Sequence, residues 1–285
     1  MLRCVVIALL LPGALAAQEK VNRGWSIDAD ASIRIHLAAG RLRITGWAHD
    51  SVAVTGGIPA GGGSFYGGGR AKGSKLGVET KDWSGSGPAS TLEVSLPRAA
   101  RLWVKTASAS VEITGVEGEI DLTSVNGTLT VNGAPRVLTA ETIDGSVIAE
   151  GGKGVQRLRT GGGSIVVRAG GGDITAATVG GSIDVAAERL ERGRLETVTG
   201  PLSFSGNVAL GGALEAETHS ADITLRFVGP VDAELLLATI GGVIYNKLVP
   251  KGSAIKGGKP LSFMMGTGGA QVSARSFKGA ITVSR

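Results

Sequence analysis

The three histidines, His36, His49 and His219, are the side chains here that most often take part in catalysis, but their spacing builds no known site. No His-Glu-x-x-His motif and no spaced set of cysteines and histidines occurs, which argues against a zinc ion. His49-Asp50 and His219-Ser220 look like parts of a hydrolase triad, yet neighbours on a strand point to opposite faces. We interpret the histidines as polar surface or turn residues.

Glycine-rich segments raise the question of a phosphate-binding loop. Residues 68–75 come closest, but they lack the Gly-Lys-Ser/Thr ending and no helix is predicted after them. Calcium-binding β-rolls share the repeat length described below, but they carry an aspartate at every turn, whereas here only Asp144 and Asp173 stand near turns. We predict no catalytic residue, no cofactor and no bound metal.

Charged residues on the outward faces of the predicted strands leave one enzymatic alternative, a β-helix acting on polysaccharides. These residues are mixed in sign, which favours a solvated surface: Glu112, Asp121, Glu141, Arg159, Arg168, Asp184 and Glu196. Aromatic residues are only 4% of the chain, which argues against extensive sugar stacking. The four tryptophans nevertheless all lie in the N-terminal part and form a candidate stacking platform: Trp25, Trp47, Trp83 and Trp103.

A nine-residue repeat organises the chain from about Val104 to Val185. Apolar residues usually stand two and four positions after each repeat point, which predicts a strand with one buried face. Most repeat points are glycines, which predict turns: Gly118, Gly127, Gly145, Gly154, Gly163, Gly172 and Gly181. Three residues before alternate points stands a hydroxyl, which makes the full period 18 residues: Thr106, Ser124, Thr142, Thr160 and Thr178.

This period predicts an all-β fold, a parallel β-solenoid with about 18 residues and two strands per coil, over residues 102–285. The hydroxyl column predicts a ladder of side-chain hydrogen bonds along one edge. Residues 188–194 and 246–259 interrupt the repeat and are predicted to bulge out as loops. The chain closes with a strand pattern at residues 281–285, which suggests an open end suited to self-association.

The first hundred residues follow a different pattern. Residues 1–17 combine a basic start, an apolar run and small residues before a cleavage point, which predicts a signal peptide. Residues 18–101 contain alternating segments at 32–37, 40–45, 51–54 and 91–96, which predict an N-terminal β cap for the first coil. Within this cap, the glycine-rich residues 56–77 predict a flexible loop.

The composition limits the cellular compartments and the classes of partner that we expect for this protein. Cys4 is the sole cysteine and falls in the predicted signal peptide, so we expect an exported bacterial protein without disulfides, in the periplasm, cell envelope or extracellular space. The formal net charge is +5, without any Lys/Arg run, which argues against nucleic acid. We expect no transmembrane span in the mature chain, because the apolar run is shorter than a span requires.

Two segments carry a resemblance to a known family. Residues 92–97, Leu-Glu-Val-Ser-Leu-Pro, end a strand, and residues 102–113 open the repeat through Thr106-Ala107-Ser108. With the closing residues 279–283, they resemble the bacterial putative adhesin family of exported β-repeat domains. Ala109 stands where that family commonly has glycine. The resemblance implies the fold and export, and it supplies no catalytic residues.

These observations favour a non-enzymatic exported envelope protein that acts as an adhesin or interaction scaffold. The expected partner is an envelope component, a glycan or a protein, with self-association through the solenoid ends as a further option. Two alternatives stay open: a β-helix enzyme acting on polysaccharide, and a polymer-forming or envelope-sensing module.

Overall fold

The computed structural model describes residues 18–249 and 253–285, and this part of the chain contains 24 β-strands and no helix. The predicted all-β class is confirmed. The predicted signal peptide, residues 1–17, lies outside the described residues. Across the described ranges, no helix is present that is long and apolar enough to cross a membrane.

The strands, in chain order, are β1 (Glu19–Ser26), β2 (Ser32–Leu37), β3 (Gly40–Trp47), β4 (Ser51–Ile58), β5 (Ser64–Arg70), β6 (Gly73–Glu79), β7 (Ser90–Pro97), β8 (Arg101–Thr106), β9 (Ser110–Thr114), β10 (Glu119–Ser124), β11 (Leu129–Asn132), β12 (Val137–Thr142), β13 (Val147–Glu150), β14 (Val155–Thr160), β15 (Ile165–Thr178), β16 (Ile183–Thr197), β17 (Leu202–Thr218), β18 (Ile223–Phe227), β19 (Ala233–Thr239), β20 (Val243–Asn246), β21 (Ser253–Lys256), β22 (Leu261–Met265), β23 (Ala270–Ser276) and β24 (Ile281–Ser284).

Backbone pairing arranges these strands in two rows. Row A runs β5-β6-β2-β8-β10-β12-β14-β15-β16-β17-β23-β19-β22. Row B runs β1-β4-β7-β3-β9-β11-β13-β15-β16-β17-β18-β24-β20-β21. Both rows are parallel except at their ends, where β5, β1, β4, β22 and β21 pair antiparallel.

Pairing in the middle of both rows follows a constant offset. Ile120 of β10 lies opposite Leu102 on one side and Leu138 on the other, 18 residues away in each direction. Leu129 of β11 lies opposite Val111 and Val147 with the same offset. Alternate side chains on most strands point into one continuous apolar core between the rows, which excludes water from Val, Ile, Leu and Ala side chains.

The interruption at residues 188–194 does not form the predicted loop. It lies inside the long strand β16, whose first part pairs in row B and whose last part pairs in row A. The extra residues are absorbed as register shifts around Ala187 and Leu190. The prediction was wrong because β-bulges accommodate additional residues without ending a strand.

The glycine-rich residues 56–77 are also mostly strand, which contradicts the predicted flexible loop. Residues 64–70 form β5, and its antiparallel pairing with β6 makes a hairpin whose two turn residues are Ala71 and Lys72. Backbone pairing along the sheet edge outweighs the weak strand propensity of glycine here. Residues 246–259, predicted as a loop, likewise include β21, which pairs antiparallel with β20.

The C-terminal strand is not an open end. β24 lies inside row B, between β18 and β20, and β23 lies inside row A, between β17 and β19. The chain therefore closes by inserting its last two strands between earlier ones, where both edges of each strand are paired. At the N-terminal end, β2 lies in the same way between β6 and β8.

The turn from row A to row B forms an edge that we call the threonine edge. It is lined by buried hydroxyl residues, Thr106, Ser124, Thr142, Thr160, Thr178, Thr197, Thr218, Ser276 and Thr239. Thr178 shows their usual role, because its Oγ1 accepts from the Gly181 amide at 3.2 Å and donates to the Gly163 carbonyl at 3.1 Å. Apart from Thr106 with Ser124, the column is thus bonded to backbone groups rather than as the predicted hydroxyl ladder.

Candidate functional site

The three histidines lie on separate elements, so they assemble no triad. The His49 ring packs edge-on against Trp47, and the His219 ring is stacked on Phe277 with centroids 5.0 Å apart. Nδ1 of His36 is hydrogen-bonded to the Tyr66 hydroxyl at 3.0 Å. Within residues 18–249 and 253–285, no group of three or more His, Cys, Asp or Glu side chains is arranged to hold a metal ion.

The predicted outward charges divide between the two rows. Glu112, Arg168 and Asp184 belong to row B, and the other four belong to row A. Three carboxylates form ion pairs with arginine: Glu112 with Arg43 at 3.2 Å, Glu196 with Arg194 at 2.6 Å and Glu141 with Arg159 at 3.9 Å. Such exposed pairs contribute little to stability.

Asp121 differs from the other outward carboxylates. Partial burial raises its pKa above the ordinary range of aspartate, and the nearby Glu141 adds to this rise. It lies on β10 directly opposite Trp103 of β8. A carboxyl group with a raised pKa beside an exposed indole is the feature of this surface that most favours the enzymatic alternative.

The tryptophans do not form a single platform. Trp25 Nε1 donates to Ser74 Oγ at 3.1 Å, and Trp47 Nε1 donates to the Ser51 carbonyl. Trp83 and Trp103 are the exposed pair, and both border the same region of row A. This region is the best-defined candidate site.

We call this region the basic–aromatic patch and define it by Arg34, His36, Tyr66, Lys75, Trp83, Trp103 and Lys105. Three neighbouring strands place it: β6 and β8 flank β2, so Lys75 and Trp103 lie directly opposite Arg34, one on each side. One step along, Lys105 lies opposite His36. The Arg34 guanidinium carbon lies 5.9 Å from the Trp103 ring centroid, within range of a cation–π interaction.

Tyr66 links the aromatic part of the patch to its charged part. It lies opposite Gly77, and a Cβ on Gly77 would come within 3.0 Å of the Tyr66 hydroxyl. The missing side chain thus lets the phenol extend over Gly77 to His36, while the Lys75 ammonium lies 5.5 Å from the ring centroid. Burial raises the pKa of Tyr66, so the hydroxyl keeps its proton and can donate to a neutral imidazole.

Among the described residues, the cations of the patch are not ion-paired, although Glu79 of β6 lies near enough to act on Tyr66. In the part of the chain that the structure describes, Arg34, Lys75 and Lys105 form no ion pair. Like charges directly opposite each other on adjacent strands are destabilising, as for Arg34 and Lys75. Burial lowers the pKa of His36, and these three cations lower it further, so the field of the patch is positive.

Beside the patch lies an open depression of about 710 Å³, lined by Ser32, Arg34, residues 68–70 and residues 72–75. Gly68 and Gly69 of β5 are among its lining residues, and a Cβ on Gly68 would meet no atom within 4 Å. The glycines therefore leave backbone and cations accessible together. Sequence reasoning compared residues 68–75 with a phosphate loop and missed this site, because the partners Arg34 and Trp103 are brought in by strand pairing.

A second exposed feature follows the threonine edge. From Ser124 onward, the residue after each buried hydroxyl lies at the surface, and six of these residues are large and apolar with 43% to 64% exposure: Val125, Ile143, Val179, Val198, Phe277 and Ile240. We call these six residues the apolar ridge. Gly161 and His219 fill the two remaining positions along it. A row of exposed apolar residues of this kind marks an interaction surface more often than scattered exposed residues do.

No family model and no curated protein matches this chain. A solved structure from Clostridium sporogenes described as a "putative cell adhesion protein" is 9% identical, with a TM-score of 0.25, and the match covers 93% of this chain and 99% of that one. A "putative adhesin" from Bacteroides fragilis is 11% identical, with a TM-score of 0.30 and coverage of 93% and 96%. Both names agree with the resemblance seen in the sequence, but with TM-scores below 0.5 neither structure carries an argument about function.

Proposed function

We propose that this chain is a non-enzymatic exported protein of the bacterial envelope, an adhesin or interaction scaffold that binds an acidic glycan through the basic–aromatic patch. We describe its fold as a parallel β-solenoid with about 18 residues per coil, supported by the constant pairing offset in both rows. Its location in the periplasm, the envelope or the extracellular space is part of the same proposal and rests on the predicted signal peptide.

The observation that carries the proposal is the juxtaposition of unpaired cations with exposed indole rings on a rigid sheet. Carboxylate or sulfate groups of a glycan can accept charge-assisted hydrogen bonds from Arg34, Lys75 and Lys105. The apolar faces of its sugar rings can pack on Trp103 and Trp83, which present 37% and 40% of their surface to solvent. The open, flat depression accommodates a polymer passing through, rather than a small molecule enclosed on all sides.

Binding of purified protein to polygalacturonate, with neutral dextran as comparison, tests this proposal. Calorimetry should show binding to polygalacturonate that weakens as salt is added, because exposed charges are screened. Arg34→Gln combined with Lys75→Gln should weaken it at least about tenfold, since hydrogen bonds to charged groups contribute about 1.5–3 kcal/mol each. Trp103→Ala should weaken binding at every salt concentration.

A charge-matched control separates the patch from overall charge. Lys20→Gln combined with Arg226→Gln removes two exposed cations from row B and should leave the affinity unchanged. Equal losses from both double variants would show that net charge alone attracts the polymer. Absence of binding to any carboxylated or sulfated glycan, or equal binding to dextran, would overturn the proposal.

The enzymatic alternative rests on Asp121, with its raised pKa, beside Trp103. Release of reducing ends should be followed in the same mixtures, with Asp121→Asn as the test variant. Turnover by the wild-type protein that disappears in this variant would establish the enzyme and replace the binding proposal. Binding without turnover in either protein supports the proposal as stated.

A further inference from the structure

We infer that the apolar ridge is the contact surface for a second copy of this chain, packed edge to edge with the two strand stacks running antiparallel. The inference concerns a face distinct from the basic–aromatic patch and does not depend on its ligand. Three independent properties of the threonine edge support it. They are the sizes of the ridge residues, the charges on the row A side of the ridge and the charges on its row B side.

The side chains of the ridge fit, in size, the side chains of a second ridge that runs in the opposite direction. In stacking order, the positions from β12 to β23 carry Ile143, Gly161, Val179, Val198, His219 and Phe277. A two-fold axis between Val179 and Val198 places each valine against the other valine of the second copy. The same axis places the bare Gly161 against the bulky His219 ring, and Ile143 against Phe277. One contact surface thus serves both copies, as an isologous interface requires.

Charged residues on the row A side of the ridge lie opposite residues of the other sign when a second copy runs in the opposite direction. The last strand residues before the hydroxyl column are, in stacking order, Glu141, Arg159, Ala177, Glu196, Glu217 and Arg275. Under the same two-fold axis, Glu141 meets Arg275 and Arg159 meets Glu217 of the second copy, while Glu196 meets Ala177. Each acid in a charged contact faces a base, which fixes the register.

The charges on the row B side of the ridge also favour the antiparallel arrangement of the two copies. In the third position of each turn, counted from the buried hydroxyl, the charged residues between β12 and β24 are Asp144 and Lys278. The residues between them at this position are small: Gly162, Gly180, Thr199 and Ser220. Asp222 lies two residues further along its turn and accepts from the Ala280 amide. The antiparallel register brings Asp144 to Lys278 of the second copy. A parallel arrangement would instead place Glu141 near a second Asp144, and Arg275 near a second Lys278, so repulsion disfavours it.

The accessible length of the ridge also suits this contact. At its N-terminal end the loop after β6 closes over the threonine edge, where Ser108 Oγ donates to the Gly85 carbonyl. At its C-terminal end the amides of Gly257 and Gly258 donate to the Gly242 and Thr239 carbonyls, which covers the edge beyond Ile240. Between these covers, eight strand positions at about 4.8 Å give a strip of roughly 35 Å for the second copy.

The oligomeric state and cysteine cross-linking test this inference. Sedimentation of the purified protein should show a concentration-dependent dimer. Val179→Asp places a carboxylate beside the two-fold axis and should raise the dimer dissociation constant at least about tenfold. Val228→Asp, at a valine of similar exposure outside the threonine edge, is the matched control and should leave the dimer unchanged.

The register is tested in a Cys4→Ser background, which otherwise lacks cysteine. Ile143→Cys combined with Phe277→Cys should form disulfide-linked dimers, whereas Ile143→Cys alone should not, because its two copies lie about five strand spacings apart, roughly 24 Å. Arg159→Glu should weaken the dimer, and adding Glu217→Arg should restore it. A monomer at every concentration, or efficient cross-linking through Ile143→Cys alone, would overturn the inference.

Discussion

The repeating middle of the molecule and its N-terminal end use the same strand pairing for different purposes. In the middle, from β10 to β16, outward acids such as Glu141 and Glu196 are paired with arginines. At the N-terminal end, β6, β2 and β8 bring Lys75, Arg34 and Lys105 together without such partners. The uniform middle therefore presents charges of both signs, whereas the N-terminal end gathers three cations on one face, which is the basis of the proposed binding there.

The largest expected difference between the two regions is the effect of glycine substitutions on the free energy of unfolding. A Cβ on Gly181, in the middle, would lie 1.8 Å from the Gly163 carbonyl oxygen of the neighbouring strand level. Gly181→Ala must therefore push two levels apart, and we expect a loss of more than about 3 kcal/mol in the free energy of unfolding. Urea denaturation measures this loss.

Gly68→Ala at the N-terminal end is the matched substitution. Its Cβ would point into open space beside the patch, so we expect stability to change by less than about 0.5 kcal/mol. Equal destabilisation by the two variants would show that glycine serves the same role in both regions.

A smaller loss is expected from the hydroxyl column of the middle. Thr178→Val keeps the side-chain shape but removes the acceptor of the Gly181 amide, which should cost about 1–3 kcal/mol. Thr199→Val removes only an exposed hydrogen bond to the Val179 carbonyl and should have little effect. If thermal and urea unfolding gave similar losses for both, the buried column would have no special role in joining adjacent levels.

The local pattern of the fold was readable from the sequence, because alternation and periodic glycine act within a few residues. The all-β class and the positions of strands such as β10 and β12 follow directly from it. The role of glycine was only partly readable: of the repeat points, Gly127 and Gly172 have left-handed backbone conformations, whereas Gly163 and Gly181 are needed because the next level approaches closely. Such an approach depends on stacking, which sequence spacing does not display.

Long-range pairing explains what the sequence could not show. The insertion of β23 and β24 between earlier strands joins residues more than 50 positions apart, and no local signal marks it. The same holds for the basic–aromatic patch, because Lys75, Arg34 and Trp103 come from three separated segments. Of this patch, only the tryptophans were recognised as a candidate platform, because their location in the N-terminal part of the chain can be read from the sequence without the strand pairing.

The smallest predicted effect concerns His36, whose pKa should respond to the acidic glycan proposed to bind the basic–aromatic patch. The folded protein holds this pKa below 6.5 through burial and the cations Lys75, Lys105 and Arg34, so the unfolded chain binds the proton more readily. His36 should therefore lower stability as the pH falls through 6.5, and His36→Gln should remove this contribution from the pH dependence of thermal unfolding.

Nuclear magnetic resonance of the imidazole should show the pKa rising when polygalacturonate is added, because a bound polyanion offsets the three cations. An unchanged titration at saturation would place the polymer away from the patch.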